Sequence, residues 1–108
     1  MGVSLGALIS AYIGYTRPEI FGNIASMSGA YWYNGTILLQ IQSGEKKNLN
    51  WYVDWGTYEK EIMDGSKQLV QALKNKNYDY VTREWHEGHS WGSWRAHIDE
   101  VLVYFFSA

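Results

Sequence analysis

Cysteine is absent from the 108 residues, which excludes a disulfide framework and thiolate chemistry and leaves the redox compartment open. Proline occurs once, at Pro18, so little in the chain breaks regular structure. No apolar run approaches the roughly 18 residues that a bilayer span requires. The opening "MGVSLGALIS" has neither a basic n-region nor a cleavage site, so it reads as no secretion leader and leaves the cytoplasm as the default location. Charge of one sign is scarce as well. The net charge is −2, with no basic stripe for a nucleic-acid partner and no membrane-binding segment. No carboxylate-rich or cysteine pattern accompanies His86 and His89, so neither a metal nor another cofactor is expected.

What the chain does have is apolar and aromatic mass. Hydrophobic residues make up 46% and charged residues 19%, a balance that supports one folded domain over residues 1–108. Six Trp and nine Tyr are the compositional oddity. They fit a small core built from large side chains, or a surface that stacks on sugars or aryl groups.

Periodicity predicts an α/β chain. Leu5, Leu8, Ile9, Tyr12 and Ile13 recur at helical spacing over residues 4–15, with Pro18 as the stop. Residues 23–31 read as a buried strand ending near Gly29. Asn34-Gly35-Thr36 fits a glycosylation triplet but is read as a turn, followed by a short helix. The aromatic, β-branched residues 50–57 form the next strand. Ile62, Ser66, Leu69, Val70 and Leu73 define one face of a helix over residues 60–76, which ends at Asn77. A strand over residues 78–87, the loop "GHS" and a last helix from residue 91 complete the order. Strands separated by helices imply a parallel sheet with right-handed crossovers.

Within this pattern Gly2-Val3-Ser4-Leu5-Gly6 matches G-x-S-x-G and leads into a helix. Flanking glycines let the backbone turn sharply and neighbouring elements pack closely, leaving the serine exposed at a strand end. A hydroxyl needs a base, and the base needs an acid to hold its tautomer. Of the three histidines, His89 lies in the glycine-flanked loop and is the chosen base. His86 reads as a strand or surface residue and His97 as a solvated helix residue. For the acid, Glu59 stands just beyond the middle strand. Asp54 lies within that strand, and Asp64, early in the next helix, is the alternative.

The stretches "GVSLGALISAYIGYTRPEIFGNIASMSGAYWY" and "VDWGTYEKE", with the histidine segment "REWHEGHSWGSW", resemble the esterase family of the α/β-hydrolases that includes enterochelin esterases, feruloyl esterases, S-formylglutathione hydrolases and mycolyltransferases. The resemblance implies Ser4 as nucleophile, Glu59 as acid, His89 as base and the Leu5 backbone N–H as an oxyanion donor. Trp91 and Trp94 resemble aromatics lining the floor of such sites, and with Trp32 they are the substrate-lining candidates. The family carries further strands before its serine, so the resemblance covers about the C-terminal half of such a domain. It therefore implies a truncated α/β-hydrolase with a short, mostly parallel sheet, completed by self-association into a homo-oligomer. The expected function is a serine carboxylesterase acting on small esters. The alternatives are an inactive associating subunit, or a carbohydrate-binding module using Trp32, Trp55, Trp91 or Trp94.

Overall fold

The computed structural model describes residues 1–87 and 91–106. Eight elements follow in order: β1 (Gly2–Val3), α1 (Leu5–Thr16), β2 (Asn23–Met27), α2 (Thr36–Ser43), β3 (Asn50–Gly56), α3 (Lys60–Asn75), β4 (Asp79–Trp85) and α4 (Trp91–Phe106). The strands form one four-stranded sheet in the order β1-β2-β3-β4, and every pair is parallel. The expected α/β architecture is therefore what the chain adopts.

Side-chain alternation sorts the helices to the two faces. Ile24, Trp51, Val53 and Trp55 point to one face and pack with Ala11, Ile37, Ile41, Ile62, Leu69 and Leu73 from α1, α2 and α3. Ala25, Met27 and Tyr52 point to the other and meet Trp94 and Val101 of α4. Three crossover helices on one side of a sheet in sequential order is what right-handed connections produce. Both faces are covered, which explains why β2 and β3 read as continuous apolar runs.

Two details depart from the sequence expectations. The face of α1 that meets the sheet consists of Ala7, Ala11, Gly14 and Tyr15, whereas Leu5, Ile9, Tyr12 and Ile13 are exposed. Small residues let the helix approach the sheet closely: a Cβ on Gly14 would meet Ile24 Cδ1 at 2.4 Å. The large apolar stripe is therefore the outer face, and together with the free side of β1 it is the surface that the homo-oligomer expectation concerns. The second strand also stops earlier than expected, at Met27, because Ser28 takes a φ of 50°. Asn34-Gly35-Thr36 is a turn as read, with Asn34 Oδ1 accepting the Thr36 N–H at 3.0 Å.

Ser66, on the buried face of α3, has no surface exposed and its hydroxyl has no partner among the described residues. Ser66→Ala removes a desolvated polar atom and supplies a better helix former, so the variant should gain about 1 kcal/mol in urea unfolding.

Candidate active site

The carboxyl ends of the strands share one edge of the sheet, with β3 and β4 running two residues past β1 and β2, and that edge is where ligands bind in open parallel sheets. Val3 pairs with Met27, and Met27 with Asp54. The residues just past those positions are Ser4, Ser28 and, beyond Gly56, Glu59.

Ser4 occupies the one-residue junction between β1 and α1, with φ 59° and ψ −120°. An L-residue rarely adopts such a conformation, at a cost of order 1–3 kcal/mol, and it persists only when its surroundings hold it. Here they do. The Ser4 N–H donates to the Met27 carbonyl at 2.9 Å, and the Ser4 carbonyl accepts from the Ala30 N–H at 3.1 Å. Gly2 is required by close approach, since a Cβ there would lie 2.1 Å from the Gly6 carbonyl oxygen. Gly6, by contrast, has nothing within 4 Å of a would-be Cβ among the described residues, so no contact there demands the second glycine of the motif.

Glu59 is the cap residue immediately before α3 and is buried, with 6% of its surface exposed. Its Oε2 accepts from the Gly56 N–H at 2.8 Å and the Ser28 hydroxyl at 3.0 Å. Glu59 and Ser4 line one open cavity of about 420 Å³, whose walls also include Trp32, Tyr58 and Ile62. Trp32 is 58% exposed there. The alternative acid, Asp64, lies on the exposed side of α3 and pairs with Lys60 at 3.3 Å.

His89 lies outside the described residues, as does the side chain of Trp91. Of the other histidines, His86 is exposed just past β4, with Nδ1 3.3 Å from the Thr57 hydroxyl. His97 is not solvated as its own helix suggested. Its ring stacks on Trp85 at 3.6 Å and 1°, and its Nε2 lies 3.0 Å from both carboxylate oxygens of Glu87. Both partners come from the β4 side, which the helical pattern around His97 could not reveal. Trp94 is buried rather than lining the cavity, and its Nε1–H donates to the Ser28 hydroxyl at 3.0 Å. With Trp55 buried as well, the sugar-stacking reading keeps only Trp32 as an exposed tryptophan among those whose side chains are described.

Sequence reasoning missed Ser28. Its only signal was the Ser-Gly pair at the end of β2, a combination too common to stand out. Asp54, set aside as a strand residue, is buried beneath this edge. Its Oδ2 accepts from the Tyr52 hydroxyl at 3.2 Å and the Trp85 Nε1–H at 3.3 Å. Burial pushes its carboxyl up to about 6, and the hydrogen bonds from Trp85 and Tyr52 offset only part of that. A pKa raised in the fold means that ionisation opposes folding. Stability should therefore fall as pH rises from about 4 to about 6 and level off above, by roughly 2–3 kcal/mol in all. Asp54→Asn should remove that slope, as measured by urea unfolding across the window.

No helix among the described residues is long and apolar enough to cross a membrane. No group of His, Cys, Asp and Glu among them could hold a metal ion.

Comparison with known proteins agrees with this geometry. The chain is 30% identical to the iron(III) enterobactin esterase of Escherichia coli over 94% of its own length and 28% of that protein's. It superposes on the enterochelin esterase from Shigella flexneri with a TM-score of 0.89 and 28% identity, covering 98% of this chain and 29% of that one. A ferulic acid esterase shares the fold at a TM-score of 0.84 and 17% identity, over 95% of this chain and 48% of that one. The chain thus spans less than a third of the two enterobactin and enterochelin esterases and about half of the ferulic acid esterase. The family model described as Putative esterase matches residues 1–105, and the chain belongs to that family of α/β-hydrolase esterases.

Proposed function

We propose that this chain carries the nucleophile and acid of a serine carboxylesterase site acting on small carboxylic esters. The observation that carries the reading is Ser4, held at positive φ on a strand-to-helix junction and opening into the same cavity as the buried Glu59. A serine so placed is a nucleophile elbow, its hydroxyl set above the sheet edge.

In the proposed reaction the Ser4 hydroxyl adds to the ester carbonyl carbon while His89 takes its proton. The tetrahedral oxyanion then collapses, expelling the alcohol with that proton and leaving an acyl-serine. Water, deprotonated by His89, adds to the acyl-serine, and the acid departs as Ser4 regains its proton. Glu59 holds the imidazole in the tautomer this sequence needs. Leu5 is the first residue of α1, so its N–H has no intrahelical partner and faces developing negative charge at a helix N-terminus. The open cavity walled by Trp32 and Tyr58 is the place where the ester would meet Ser4.

The test is a fluorophosphonate probe followed by peptide mass spectrometry. Labelling confined to Ser4, near one per chain and suppressed by excess phenyl acetate, is the expected result. Absence of label at Ser4 would overturn the reading in favour of an inactive associating subunit.

A further inference from the structure

The stretch from Met27, the last residue of β2, to Ala30 grips the two halves of the proposed site. Met27 and Ala30 hold the backbone of Ser4 through its N–H and its carbonyl. Between them Ser28 turns its hydroxyl to Glu59 Oε2 at 3.0 Å and accepts the Trp94 Nε1–H at 3.0 Å. Ser28 is buried, at 3% exposure, and its own N–H is tied to the Asp54 carbonyl at 3.0 Å. Its φ of 50° is unfavourable for serine and natural for glycine, so the hydroxyl offsets a conformational cost that glycine would avoid.

We infer that Ser28 is a positioning residue for Glu59, a fixed donor that sets the carboxylate's orientation and couples it to the segment holding Ser4. This rests on the serine esterase reading above. A buried donor with one acceptor already engaged has little choice of direction. The indole of Trp94 supplies that constraint, so the Ser28 proton is directed at the carboxylate. Thus α4, which packs on the opposite face of the sheet from α3, reaches the acid through one hydroxyl. Trp94 is then a remote part of the same positioning chain.

Ser28→Gly isolates the hydroxyl, because glycine accepts the positive φ without strain. Cooperative thermal unfolding should persist, while kcat for p-nitrophenyl acetate falls about tenfold with KM unchanged, the scale of one hydrogen bond to a charged group. In a Glu59→Gln background the same substitution should cost nothing further. Trp94→Phe, which leaves the Ser28 backbone untouched, should lower kcat by a smaller factor. Wild-type kcat in Ser28→Gly, or an equal loss with and without the Glu59 carboxylate, would overturn the inference. A readout independent of turnover is the carbon-13 signal of the Glu59 carboxylate, which should move in Ser28→Gly and would refute the coupling if it stayed. Missing Ser4 label in the wild type would fail the esterase reading alone, because the carbon-13 signal still decides the Ser28 bond.

Discussion

Ser4→Ala should bring hydrolysis of p-nitrophenyl acetate down to the buffer rate, a loss of at least about 10³-fold relative to the wild-type chain. The backbone of Ser4 is held by Met27 and Ala30 whatever side chain it carries, and alanine at φ 59° is strained to a degree similar to serine. Circular dichroism and the unfolding midpoint should therefore stay near wild type, so the loss is attributable to the missing attacking oxygen. Glu59→Gln should cost less, since in the proposed mechanism the carboxylate acts on the ester only through the base. Equal rates for wild type and Ser4→Ala, after subtraction of the buffer reaction, would remove the basis for an esterase.

Gly56→Ala should damage both stability and turnover. A Cβ at Gly56 would lie 2.1 Å from the Glu87 carbonyl oxygen and 3.0 Å from Glu59 Oε2. The first of these is backbone and cannot swing away. Relief requires the ends of β3 and β4 to separate, which strains the Thr57 N–H bond to the Trp85 carbonyl at 2.7 Å and the Tyr58 N–H bond to the Glu87 carbonyl at 3.3 Å. Overpacking together with weakened buried hydrogen bonds amounts to about 2–4 kcal/mol, a large share of the roughly 5–15 kcal/mol typical of a small domain. The same shift displaces Glu59, because its Oε2 is bonded to the Gly56 N–H. Urea unfolding and ester hydrolysis should fall together in this variant, whereas Ser4→Ala separates them.

The element order was readable because each helix and strand announces itself in a local pattern. Ile62, Leu69 and Leu73 repeat at helical spacing and are buried as read. The aromatic run from Trp51 to Trp55 is a central strand with both faces covered. The placing of Ser4 and Glu59 at one edge of the sheet was legible for a related reason, since Ser4 directly follows β1 and Glu59 lies in the turn after β3. What escaped was whatever depends on a partner distant in the chain. Ser28 matters through Glu59 and Trp94, and His97 through Trp85 and Glu87. Burial of α1 was misjudged because hydrophobicity favours Leu5 and Ile9, whereas closeness to the sheet favours Ala7 and Ala11.

Because β1, β2, β3 and β4 lie side by side in the order they occur along the chain, no strand has to be threaded between two neighbours already seated. Each parallel pairing still closes a crossover that holds a whole helix, so assembly carries a larger entropic cost than a chain of hairpins would. Ser4, Ser28 and Glu59 follow three adjoining strands, β1, β2 and β3, so their meeting draws on no residue of β4. The last helix bolts that rim from the far face, its indole at Trp94 donating to the Ser28 hydroxyl.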